Sequence, residues 1–397
     1  MLTVEIRDNT YQIEVPASSR VYAGTGGVEG GEDLKGKRRP RAFGDLSGAN
    51  LMPPLVVPAQ LAYQVNDGPV QAVPRVYDRG VALTLARDYG SVSDLLAAGT
   101  GAAGSGAAIE AGQFATCLAG GWFKLGGAPV GQITCDVLGD KAGGVYVDTT
   151  PALVRRLLAG VPGAHIRLFE PSFQQVETAQ TGPVGYWLDP SDETTVADII
   201  ADLMSGIGGY GGFRRNGSFE IGVFRAPVGI PTARYTRTDI IEIERQKLPD
   251  GLSPPPWRYR VAWGRNWTVQ TDVDGQSGVT AARVAFLAER YRLAASDATA
   301  GAIVRTNHPL AQDPAPVESY FRDEADAARE ANRRLALFGK TNSLYRIRLK
   351  AHPFVHEIGE EVHVTFPRWD LQAGRSLRIV ALTEDTDENA TEIIGFG

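Results

Sequence analysis

Several stretches of this 397-residue chain hold partial sets of the side chains that chemistry needs. Gly31-Glu-Asp-Leu-Lys-Gly-Lys37 matches the G-x-x-x-x-G-K opening of a phosphate-cradling loop. The next residue is Arg38, where a hydroxyl would be needed for magnesium, and Pro40 and Phe43-Gly44 discourage a helix whose N-terminus could face a phosphate. A flexible loop is the expectation there. Five histidines occur, at 165, 308, 352, 356 and 363. His352 and His356 have the i, i+4 spacing of two zinc ligands on a helix, but Pro353 and the alternation after it predict a strand. On a strand the two would sit about 13 Å apart at ~3.3 Å per residue, too far for one ion, so solvent-facing positions are expected. No metal site and no cofactor follow from these residues.

Nucleophilic and acid–base constellations are equally incomplete. The chain has no Gly-x-Ser-x-Gly elbow. A glycosidase carboxylate pair would meet only in the fold, so sequence alone leaves it open. Asp189, Asp192 and Glu193 lie just before a helical pattern and read as an N-terminal cap. The acidic run Glu384-Asp-Thr-Asp-Glu388 reads as a solvated hairpin tip. Trp257, Trp263 and Trp267 could form a sugar platform, although core or subunit packing is the simpler expectation. The basic cluster Lys37, Arg38, Arg39 and Arg41 suits a solvated loop, an acidic protein face or, less well, nucleic acid. No catalytic residue emerges.

The elements that would position these residues are mostly strands. Leu2, Val4 and Ile6 alternate, as do Tyr11, Ile13 and Val15, which predicts two short strands within 1–22. Short apolar runs between turn signals continue from Phe43 to about Leu85. Ser91 caps a helical start, Gln113–Leu125 carries Phe114, Cys117, Leu118 and Leu125 at helical spacing, and a strand is expected over 130–138. A composition change near Thr149-Thr-Pro151 opens an α+β stretch. It contains helices from Pro151 and Thr194 and a hairpin turning at Asn216-Gly217. Arg258–Gln270 then alternates as one long strand, helices follow near 279–293 and 322–338, and strands are expected at 344–350, 361–366, 377–383 and 391–396. No fixed-period repeat argues for a solenoid or propeller.

Composition narrows the class. The chain has 40 Lys and Arg against 46 Asp and Glu, a formal charge of −6, which disfavours a general nucleic-acid coater. Its 46 Gly and 24 Pro are about 18% of the chain against a usual ~12%, favouring turns and extended structure. No run of about 18 apolar residues predicts a membrane-spanning helix, and the N-terminus lacks the pattern of a secretory signal. With only Cys117 and Cys135, a disulfide framework is excluded and cytoplasmic synthesis is expected.

Several stretches together resemble the baseplate hub, or tail-tip hub, proteins of long-tailed bacteriophages and gene-transfer agents. They are Lys37-Arg-Arg-Pro-Arg-Ala-Phe-Gly44, Pro53-Pro-Leu-Val-Val57, Tyr63-Gln-Val-Asn-Asp-Gly68, Val76-Tyr-Asp-Arg-Gly80, Gly112-Gln-Phe-Ala-Thr-Cys117 and Ala128–Val137. Phe213–Phe219, Arg258–Thr268, Ile358–Val362 and Pro367–Leu371 follow in the same order. The resemblance implies a β-rich α+β multidomain chain. Its two small β-barrel hub domains would be 1–150, contacting the tube, and 232–397, with two helices, while 151–231 would be an inserted α+β domain. It further implies a homotrimer adapting a sixfold tail tube to a threefold tip and lining the DNA channel, without specific binding to the passing genome. Partners would be the tail tube or distal tail protein and other baseplate and fibre proteins, at the distal end of the virion tail. Lys37, Arg38, Arg39 and Arg41 would then form a subunit-contact loop. No lysozyme or peptidase domain is recognisable, so a structural protein rather than an enzyme is expected, with a carbohydrate-active or receptor-binding module of the tail tip as the alternative.

Overall fold

The computed structural model describes residues 9–273, 278–350, 355–385, 387 and 389–397. Its spine is the strand Arg41–Leu51, buried along most of its length. This strand pairs antiparallel with Ile133–Asp140 on one side and with Gly185–Leu188 on the other. Val70–Asp78 and Val81–Ala82 complete a five-stranded sheet. Glycine is required at position 44, where φ is +69° and a Cβ would stand 2.1 Å from the Val184 carbonyl oxygen.

A second five-stranded sheet has the order Leu55–Val57, Ala62–Gln64, Trp122–Leu125, Gln113–Cys117, Thr84–Asp88. Between the sheets lie Leu46, Leu51, Val76, Cys135 and Val137, with the Tyr63 ring stacked on Phe123 at 5.0 Å. The helix expected over Gln113–Leu125 is therefore two strands. Phe114, Phe123 and Leu125 face this core. Ala115, Cys117 and Trp122 face another, formed with Tyr22, Ile109 and Leu95 of the short helix α1, Val92–Ala97. A strand buried on both faces loses its alternation, and the remaining apolar run mimics helical spacing. The strand expected at Tyr11–Val15 is also absent. Asn9–Gln12 is a 3-10 turn, and the Ile13 and Val15 carbonyls accept the Ala197 and Val196 N–H groups. The segment thus covers first-turn donors of a later helix. The alternating Leu2, Val4 and Ile6 lie outside the described residues.

The middle of the chain holds helices α2 (Thr150–Ala159), α3 (Glu170–Ala179) and α4 (Val196–Gly206). They accompany a sheet of Arg167–Leu168, Ser218–Val223 and Gly209–Phe213. The expected hairpin is present, with Gly217 at φ +76° and its N–H donating to the Arg214 carbonyl at 2.8 Å. Thr195 and Asp198 form a reciprocal cap at the start of α4. The apolar core here, including Leu157, Phe173, Ile199 and Phe219, runs on into Val261, Phe321, Ala331 and Leu335.

The second half adds α5 (Ala281–Ala288), α6 (Ala298–Asn307) and α7 (Glu324–Phe338) around the strand Arg260–Trp263. The long strand expected over Arg258–Gln270 ends at Trp263, because the chain turns at Gly264 with φ +59°. The four C-terminal strands are found as Leu344–Lys350, Glu361–Val364, Arg375–Asp385 and Ala390–Phe396. With Ala233–Tyr235 and Ile240–Gln246 at its two edges they form one six-stranded sheet over Tyr345, Ile347, Val362, Leu377 and Ile393. The fold is thus a β-rich α+β assembly of several sheets.

A polar knot joins the spine to the 260s segment. Asn50, fully buried and at φ +54°, donates from Nδ2 to the Thr268 carbonyl at 2.6 Å and reaches Gln270 Oε1 at 3.2 Å. Its Oδ1 accepts from Arg283 at 3.0 Å, and its N–H donates to Asp136 at 3.3 Å. Asn266 Nδ2 in turn meets the Phe286, Leu287 and Glu289 carbonyls at the end of α5. Burial pushes the Asp136 carboxyl upward against the pull of the Asn50 N–H, Tyr77 and Arg283. Asn50→Ala strands these partners, and the expected loss is about 2–4 kcal/mol in urea unfolding. A loss under about 1 kcal/mol would show that the knot is incidental.

Candidate functional site

The basic cluster is largely neutralised within the chain. Arg39, 7% exposed, pairs with Glu29 at 2.6 Å and stands over the Tyr22 ring. Arg38 donates to the Ser18 carbonyl at 2.7 Å. Arg41 faces Asp140 at 3.7 Å and lies over Phe43, and burial lowers its pKa. Lys37 alone of the four is exposed. The phosphate-loop-like stretch is a series of turns around the buried Leu34.

The other sequence candidates are dispersed. His356 is buried rather than solvent-facing, between the Tyr235 hydroxyl and Glu360, because the chain entering Glu361–Val364 packs inward. His352 lies outside the described residues. Asp189 accepts from the Ser191 N–H, while the cap itself is made by Thr195 and Asp198. Burial and Asp189 raise the Asp192 pKa. Glu384 is held by Arg215 at 2.7 Å, so the acidic run is anchored at its start; positions 386 and 388 lie outside the described residues. Trp263 is buried, Trp267 packs edge-on to Tyr186 with Arg265 4.0 Å from its ring, and Trp257 lies beneath Arg258 and Arg305. Cys117 and Cys135 are free and buried, and burial pushes both thiols up.

A cleft of about 920 Å³ lies elsewhere, between the hairpin Gly209–Val223 and the C-terminal sheet. Tyr210 and Gly212 of one strand and Glu220 and Gly222 of the next line one wall; Ile358, Gly359 and Arg378 line the other. The Tyr210 ring sits where Cβ atoms on Gly222 and Gly359 would collide with it, so both glycines are needed for the closure. Its hydroxyl donates to the Ile358 carbonyl at 3.3 Å. Glu220 is set against Arg214 at 3.4 Å. Burial raises the Glu220 pKa, Arg214 opposes this, and Glu357 and Glu360 reinforce it. The cleft therefore offers a carboxyl that keeps its proton to higher pH than usual, with guanidinium groups nearby. Sequence reasoning missed it because its walls come from segments about 140 residues apart. The Gly-rich stretch 208–212 was its one local sign.

No family model matches the chain, and no curated protein sequence matches it. Among solved structures it is similar to a chain of the virion of a native gene transfer agent particle. The TM-score there is 0.48 at 17% identity, covering 98% of this chain and 88% of that one. A tail protein from Neisseria meningitidis gives TM-score 0.37 at 12% identity, covering 70% and 74%. A 43 kDa tail protein of a Shewanella oneidensis prophage gives 0.35 at 9%, covering 66% and 74%.

Arg39→Glu places a carboxylate against Glu29 and Asp67 and should cost about 3 kcal/mol or more. Lys37→Glu should stay within about 0.5 kcal/mol. Equal costs in denaturant unfolding would contradict this division of the cluster. A raised native pKa at Glu220 means that its contribution to stability is lost as pH rises above the ordinary 4.5. Wild type should therefore lose stability relative to Glu220→Gln across that rise, and a pH-independent difference would refute the raised pKa.

Proposed function

We propose that this chain is a structural protein of a phage-type tail, specifically a trimeric hub adapting the tail tube to the tip around the DNA channel. The β-rich blocks 1–150 and 232–397 supply the hub domains, and 151–231 is the insertion between them. The observation that carries this reading is where the resembling stretches, or residues beside them in the chain, meet other elements. Ala42 N–H donates to Asn66 Oδ1 at 3.0 Å, joining two of them. Trp267 N–H donates to the Ala49 carbonyl at 2.9 Å. Arg214 and Arg215 of the hairpin reach Glu357, and Tyr210 reaches Ile358. These stretches serve as seams between sheets, which suits a rigid part of a larger assembly. A negative net charge suits a channel through which DNA slides without adsorbing.

One observation favours a second reading, a carbohydrate-active module of the tail tip: Glu220 and Glu357 both line the cleft. Release of reducing ends from peptidoglycan or host polysaccharide, lost in Glu220→Gln, would establish it over the structural role. The hub reading is tested by immunogold labelling of particles from the source lysate, with antibody against this chain. Label at the distal end of the tail is expected. Label on the capsid, or none on intact particles, would overturn the reading.

A further inference from the structure

Beside Glu220 the wall of the cleft is main chain with no side chain over it. Gly212 pairs directly across the sheet with Glu220, and Tyr210 with Gly222, so the four share one face of the hairpin. At Gly222 the space above the backbone is taken by the Tyr210 ring, whereas a Cβ at Gly212 would meet nothing within 4 Å. Directly opposed residues on such a pair stand about 5 Å apart. An open place one residue wide therefore lies next to the Glu220 carboxyl, inside the cleft of about 920 Å³.

The charged groups around this place mostly hold one another. Arg214 contacts both Glu220, at 3.4 Å, and Glu357, at 3.9 Å, and Arg215 reaches Glu357 at 3.5 Å. Glu360 faces His356. Arg378 pairs with Glu361 at 3.5 Å and donates to the Gly359 and Ala226 carbonyls. Arg225, exposed at the mouth, donates to the Gln175 carbonyl at 3.4 Å. Glu220 keeps its proton to higher pH than usual, and a protonated carboxyl both donates and accepts. A glycosidase pair flanks its bond with the sugar between the two carboxyls. Here one guanidinium lies against both Glu220 and Glu357.

We propose that this cleft binds an uncharged glycan without cleaving it, a sugar ring seating over Gly212 beside Glu220. A saccharide carries hydroxyls that donate and accept around its rim, and carbon-bound hydrogens on its ring faces. Glu220 and Arg225 serve the rim, while Phe213 and Val380 of the lining supply carbon for the faces. A ring over Gly212 rests on peptide with no side chain to lift it. An anionic ligand would be set against Glu220 and Glu357, and a cationic one against Arg214 and Arg225, so both are disfavoured relative to a neutral one. The ligand class rests on the carbohydrate reading above, but not on that reading's catalysis, and it is independent of the hub reading.

The test passes the full chain over an array of uncharged and acidic bacterial glycans, then titrates the best uncharged one by calorimetry. Retention of uncharged glycans is expected, with no reducing ends released from them on long incubation. Gly212→Val puts a strand-compatible side chain into the open place without a clash, and should weaken binding at least about tenfold. Arg225→Gln, at an exposed position of little weight in folding, should weaken it about threefold or more. Both variants are first checked for wild-type circular dichroism. Retention of no glycan, retention of acidic glycans alone, or unchanged affinity in both variants would overturn the proposal. Reducing ends whose release stops in Glu220→Gln would overturn it in favour of the catalytic reading. Failure of binding alongside label at the distal tail would leave the hub reading standing.

Discussion

Much of the molecule depends on one buried amide. Asn50 sits at a register shift in the spine strand, in a left-handed conformation that asparagine tolerates better than most residues. Its side chain leaves the sheet and takes up main chain and side chains more than 200 residues later. A buried polar group costs free energy unless paired, so each partner gives the others a reason to stay. With Asn50 satisfied, residues 266–270 lie against the first sheet, and Asn266 can close the end of α5. The Arg322 side chain, donating to Ser47 Oγ at 2.9 Å, reinforces the same seam from α7's approach.

Charge is used in the same way elsewhere. Glu330 on α7 is 2% exposed and takes both Arg333 and Arg334 at 2.7 Å. The two arginines spend their remaining donors on the Ile207, Phe224 and Ser205 carbonyls, where α4 ends and the hairpin leaves. Lys124, also buried, donates to the Leu96 and Ala98 carbonyls at the end of α1. Ionic groups that close helix ends fix orientation between units more than they add net stability. Such residues hold the elements they join in one relative orientation.

What could be read in the sequence was local. The Asn216-Gly217 hairpin and the α4 start carry their own turn and cap chemistry, so both were legible. Strands of the last 55 residues were too, since one face meets a core and the other meets water. Gln113–Leu125 was misread because both faces are buried. Helices α3 and α6 went unnoticed, with two buried residues in the first and only Gly301 in the second. The basic cluster showed its charge but not its partners, because Glu29, Asp67 and Asp140 reach it only through tertiary packing. The cleft around Glu220 had no contiguous signal at all. No local pattern marked Asn50, whose importance comes from residues 266–283.

The Asn50 knot locks the first sheet and the 260s segment into one body. Amide hydrogen exchange on the wild-type chain tests this directly, since segments that open together share one opening free energy. Residues 41–51, 133–140 and 260–270 are predicted to exchange with a common opening free energy and a common response to denaturant. Residues 260–270 opening at far lower free energy than the spine strand would contradict the account, leaving two bodies in contact rather than one rigid scaffold.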